Sequence, residues 1–172
     1  MRKRTIAQRL TWILRELDNT VNADMSTTIR NRVKLFQQWT SYSCTAAVLQ
    51  MVLHHVSGKS LNHFEAIKLM GCKPDGGYLT DIPIVIRSLG YKIAANNISE
   101  VNKLKHALSH GYVVISMDAC SHANDHAILV TGYNADGYWL VDPILAIPTF
   151  RPKEEFLRDT GEWIAVKKKV SK

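Results

Sequence analysis

The order of elements predicts an α+β domain, one helical layer against one antiparallel sheet. Three observations carry that expectation. Helical periodicity dominates the first half of the chain and strand-like runs dominate the second. The stretch Gln38 to Gly58 turns from polar to almost wholly apolar at Cys44, which reads as one buried helix. Two strand-like runs, from His126 to Tyr133 and from Gly137 to Pro143, flank the turn Asn134-Ala-Asp-Gly137 and read as a hairpin.

Taken in order, Thr5-Ile-Ala-Gln8 has the form of a capping box, and Ile6, Leu10, Ile13, Leu14 and Leu17 follow at helical spacing. An amphipathic helix lying on the domain is expected there, followed by a polar linker, so that residues 1–31 form an N-terminal segment and 32–172 the main domain. Val33 and Leu35 alternate with charged residues and suggest a short strand. The helix opened by Cys44 has Ser41 or Ser43 as its cap and Gly58 as its stop. A second helix is expected from Ser60, with Leu61, Phe64, Ile67 and Met70 inward and Gly71 at its end. A third follows Thr80, with Pro83 in its first turn and Ile82, Val85, Ile86 and Leu89 inward. Tyr91 to Ala95 reads as a strand, Val101 to His110 as a helix capped by Ser99, and Tyr112 to Met117 as a buried strand. After the hairpin come a short helix over Pro152 to Leu157 and a last strand over Trp163 to Val166.

Composition narrows the function classes. At 172 residues and 46% hydrophobic content the chain suits a single core. No apolar run approaches a membrane span, and Arg9, Arg15, Glu16 and Asp18 interrupt any signal-peptide core. The three cysteines show no Cys-x-x-Cys pair, which fits reduced thiols and a cytoplasmic setting. The net charge of +7 sits largely at the two ends. No aromatic-interleaved basic stripe accompanies it, so solubility rather than nucleic-acid binding is the reading.

Chemistry concentrates at four positions. Cys44 lies at a helix N-terminus, where unpaired N–H groups and the helix dipole favour a thiolate. A cysteine nucleophile needs a base and the base an orienter. His126 opens one hairpin strand and Asp142 closes the other, so the two are expected to face each other across the ladder. Gln38 lies six residues before Cys44 and can donate to an oxyanion formed there. His122, Asp125 and His126 are ligand types close together, but no further ligands complete a zinc set; neither a metal nor a cofactor is expected. Cys72 and Cys120 read as structural.

Gln38, Cys44, His126 and the Asp142-Pro143 pair, at separations of 6, 82 and 16 residues, resemble the catalytic set of the papain-like cysteine peptidases. The nearest pattern is that of the double-glycine leader peptidases, which process bacteriocin precursors, and their stand-alone relatives. The resemblance runs from about Arg32 to Val166. It selects Gln38 over the adjacent Gln37 and implies a papain-like fold. Its implied activity is a Cys44 nucleophile, a His126 base, an Asp142 orienter and a Gln38 oxyanion donor acting on a peptide or protein, with a separate transporter or target protein as partner. One departure stands out: the family usually carries Gly after the cysteine, where this chain has Thr45, and a side chain there is expected to narrow the cleft or alter the oxyanion geometry. Transpeptidation, deamidation or amide exchange on a protein target would use the same thioester. A binding module that merely kept the fold would not need all four residue types.

Overall fold

The computed structural model describes residues 29–119 and 126–169. The expected N-terminal helix and linker, and the residues Cys120, His122, Asn124 and Asp125, lie outside the described residues. Five helices and seven strands are found among the described residues. The helices are α1 (Cys44–Ser57), α2 (His63–Met70), α3 (Asp81–Ser88), α4 (Val101–Ser109) and α5 (Lys153–Asp159). The strands are β1 (Ile29–Arg30), β2 (Ile93–Ile98), β3 (Val113–Asp118), β4 (His126–Tyr133), β5 (Gly137–Asp142), β6 (Ile147–Pro152) and β7 (Thr160–Lys168). All pair antiparallel in one sheet of order β2-β7-β3-β4-β5-β6, with β1 added to β4. The α+β expectation holds.

The strands alternate their side chains between two cores. Ile115, Leu129, Val141, Ile164 and Val166 face α1 to α3, where Ala47, Val48, Met51, Val52 and Ile86 are fully enclosed. Their neighbours Val114, Ile128, Val130, Leu140 and Ala165 face the other way, onto Leu104 and Leu108 of α4 and Phe156 of α5. The expected helical layer is thus joined by a second, smaller one on the opposite face. Such two-sided burial explains why β3, β4 and β5 are apolar along nearly their whole length.

Local differences have local causes. Residues 31–38 form no strand; the pairing falls two residues earlier, where β1 continues the side of β4 that β3 leaves. Gly132 permits that approach, since a Cβ there would collide with the Ile29 carbonyl. Asn62 rather than Ser60 caps α2, through a full capping box with Glu65. The inward face of α2 is His63, Ala66 and Met70, which turns Phe64 outward at 69% exposure. Leu89 follows the end of α3 and is also partly exposed. Glu100, not Ser99, occupies the N-cap position of α4. The strand β6 was not expected; it contains Pro148 and Pro152 and lies at the sheet edge, where proline is tolerated. Among the described residues no helix is long and apolar enough to cross a membrane.

Candidate active site

Cys44 is the first residue of α1, and Ser43 holds the N-cap position without a side-chain cap bond. The Ser43 hydroxyl is used elsewhere, accepting the Thr40 backbone N–H at 3.1 Å. The first turn of the helix is therefore not capped by Ser43, and the next N–H groups, of Thr45 and Ala46, point to the sulfurs of Cys44 and Cys72. Burial raises the pKa of the Cys44 thiol. The His126 imidazole and the backbone N–H groups of Ala127 and Thr45 outweigh it, and the net direction is down. Burial likewise pulls His126 down. Asp142 and Cys44 on either side oppose it, and the imidazole ends up at about 9. Both shifts favour the same state, a thiolate beside an imidazolium.

The carboxylate partner is Asp142: its Oδ1 lies 2.8 Å from His126 Nε2 and also accepts the Ile144 N–H at 2.8 Å. Asp142 is fully enclosed and His126 is 4% exposed. With Nε2 held by Asp142, Nδ1 is the nitrogen left for the thiol.

His126 and Asp142 do not face each other directly, as the hairpin alone suggests. His126 is opposite Asp118 of β3. The β4–β5 ladder begins with Tyr133 opposite Tyr138 and Gly132 opposite Trp139, then shifts to Val130 opposite Leu140 and Leu129 opposite Val141. Thr131 is the extra residue, a β-bulge. One further step of the shifted register sets Asp142 opposite Ile128, diagonal to His126 and on its face. Long side chains reach each other across that diagonal. The carboxylate of Asp118 is nearer in register but is held by Arg151, whose Nη2 lies 2.9 Å from Asp118 Oδ2.

Gln38 is half-buried. Its backbone N–H donates to the Pro143 carbonyl at 2.9 Å, which ties it to the residue after Asp142. Its side-chain Nε2 donates to the Thr40 carbonyl at 2.8 Å. Gln37, by contrast, is exposed and donates to the Ile144 carbonyl. Thr45 is buried, with Oγ1 3.3 Å from Cys72 Sγ, and a Cβ at Gly77 would come within 2.7 Å of that oxygen. Its side chain turns into the interior, against the 72–77 loop, rather than lining an open surface. Cys72 is half-buried, and burial raises its pKa. Among the described residues no group of His, Cys, Asp and Glu is arranged to hold a metal.

The profile of the Peptidase_C39-like family matches residues 30–170. The chain belongs to that family. It is accordingly a cysteine peptidase by class. Solved structures agree on the fold. A double-glycine-motif protease from an AMS/PCAT transporter, in complex with the leader peptide, superposes at a TM-score of 0.66 and 22% identity, over 81% of this chain and 94% of that one. The peptidase domain of Streptococcus ComA, a bifunctional ABC transporter of a quorum-sensing pathway, gives 0.68 and 21%, over 80% and 100%. A C39-like peptidase from Bacillus anthracis gives 0.63 and 15%, over 81% and 96%. No curated protein matches.

Two features of this C39-like peptidase site were not legible beforehand. The Ile144 N–H that fixes Asp142 comes from a turn whose form depends on the following strand. His63 enters the neighbourhood of Gln38 from α2, and nothing in Asn62-His63-Phe64 announces it.

Proposed function

We propose that this chain hydrolyses a peptide bond in a peptide or protein substrate through Cys44, His126, Asp142 and Gln38. The observation that carries the reading is the line Cys44–His126–Asp142, with one imidazole between a thiol of lowered pKa and an enclosed carboxylate. In the reaction the Cys44 thiolate attacks the scissile carbonyl carbon, forming a C–S bond. The Cys44 N–H, open at the uncapped helix start, and the Gln38 side chain bind the oxyanion. The His126 imidazolium gives its proton to the departing amine as the C–N bond breaks. Water, deprotonated by His126, then hydrolyses the thioester. Asp142 keeps the proton on Nε2 throughout, so that Nδ1 is the nitrogen that gives and takes one.

Substrates with a leader peptide ending in a double glycine are the first to test, given the leader-peptide complex of the AMS/PCAT protease, and a separate transporter is the corresponding partner. The experiment is mass spectrometry of a peptide containing Gly-Gly before and after incubation. Two fragments whose masses sum to the parent plus water are the expected result. A deamidated or crosslinked product would replace hydrolysis by transfer chemistry. An unchanged peptide bound tightly by the protein would replace it by a binding role.

A further inference from the structure

We propose that His63 is a positioning residue for the oxyanion hole, holding the Gln38–Thr40 segment against α1 by accepting the Trp39 backbone N–H. This inference rests on the reading of Gln38 as oxyanion donor and says what keeps that donor in place.

His63 opens α2 and is 3% exposed, so both ring nitrogens must find partners. Nδ1 lies 2.8 Å from Gln50 Oε1 on α1. The Gln50 amide is oriented by its other end, because its Nε2 donates to the Leu61 carbonyl at 2.9 Å. A carbonyl only accepts, so Gln50 Oε1 is the atom facing His63, and His63 Nδ1 must carry the proton. In the neutral ring Nε2 is then an acceptor. It lies 3.3 Å from the Trp39 backbone N and 3.1 Å from Ser43 Oγ. Burial lowers the pKa of His63, which keeps that lone pair available. The Trp39 indole stacks on the imidazole, with ring centroids 5.0 Å apart and planes at 28°.

The consequence is a brace around Gln38. Its own N–H is bound to Pro143 and the next N–H to His63. The N–H after that is bound to Ser43 Oγ, one residue before the nucleophile. Released at His63, the segment keeps its bond beside Asp142 at one end and its bond to Ser43 at the other, but Trp39 between them, and with it the Gln38 side chain, loses its fixed distance from α1. The thiolate–imidazolium pair does not pass through this brace. Loss of His63 therefore slows reactions that build an oxyanion and leaves simple displacement at sulfur untouched.

Two probes that react at the same Cys44 sulfur separate these. With p-nitrophenyl acetate the thiolate adds to the carbonyl, the C–S bond forms and p-nitrophenolate leaves, through an oxyanion. Iodoacetamide is displaced without one, the S–C bond forming as iodide departs. The side chain in His63→Asn keeps a donor near the Nδ1 position and cannot reach Trp39; in His63→Gln an acceptor reaches the Nε2 position. His63→Asn is expected to slow acylation at least about tenfold and to change alkylation by less than about twofold. His63→Gln is expected to acylate within about threefold of the parent. Parental acylation in His63→Asn overturns the proposal, and so does an equal fall of both rates in both variants. Gln38→Ala is the reference: if it acylates like the parent, the Gln38 reading itself fails, whereas a slow Gln38→Ala beside an unaffected His63→Asn removes His63 alone. Should His63→Asn not fold, nitrogen NMR of the parent decides. An Nδ1–H, Nε2-unprotonated ring at neutral pH is required, and a protonated Nε2 refutes the brace.

Discussion

Replacing Asp142 by Asn tests the charge relation at the centre of the site. The carboxylate accepts His126 Nε2–H and the Ile144 N–H, both at 2.8 Å, in full enclosure. The amide that replaces it can accept through one oxygen but carries no charge. His126 sits at about 9 only because Asp142 and Cys44 outweigh its burial. Without the Asp142 charge the imidazole falls from about 9 toward its ordinary range, since burial pulls it down and Cys44 alone opposes. At pH 7.5 the parent ring is almost wholly imidazolium, and every fall of its pKa through that pH converts it toward the neutral form. The thiolate that depends on that imidazolium falls with it, so Asp142→Asn is expected to alkylate at Cys44 about tenfold more slowly at pH 7.5. The assay is a short pulse of iodoacetamide followed by peptide mapping, with thermal unfolding to confirm a folded variant. Alkylation at the parental rate would refute the reasoning and move the orienting role to another group.

Further expectations are independent of that one. Cys44→Ala and His126→Ala should each abolish turnover while circular dichroism shows the fold intact, and residual turnover in either would remove that residue from the mechanism. The parent's rate should fall on the alkaline side near pH 9, where His126 loses the proton that the proposed mechanism hands to the leaving amine; a flat profile to pH 10 would contradict the imidazolium. Arg151→Met should destabilise by about 3–5 kcal/mol in denaturant unfolding, because it leaves the enclosed Asp118 carboxylate without its guanidinium. Gly132→Ala should cost about 1–3 kcal/mol through the displaced β1, and an unchanged melting temperature would show that β1 contributes nothing.

Legibility in the sequence followed how local each cause was. The long helix from Cys44 to Gly58 was readable because an unbroken apolar run and a left-handed glycine cap are local signals, and Gly58 does take φ 73°. The strands β3, β4, β5 and β7 were readable for the same reason. The face of α2 was not: Phe64 looks like core by hydrophobicity, but the two-layer contact with α1 selects His63, Ala66 and Met70. The strand β6 was hidden by its two prolines, which mark an edge only once the sheet exists. At the site, the pairing of His126 with Asp142 was legible as residue types at a spacing, whereas the route by which they meet was not. It depends on Thr131 standing out of register, a choice made by β1, β3 and β5 together.

That bulge gives the hairpin a parity. The turn joins Asn134 to Gly137 across two residues, so in an uninterrupted ladder any two cross-strand neighbours on one face differ by an odd number. His126 and Asp142 differ by 16, an even number. They can share a face only if an odd count of residues is looped out between them, and Thr131 is that residue. Deleting one residue from this hairpin is therefore not a shortening but an inversion, leaving a better-paired ladder with its carboxylate on the wrong side of the sheet. An intact fold with a disarmed imidazole lies a single codon away.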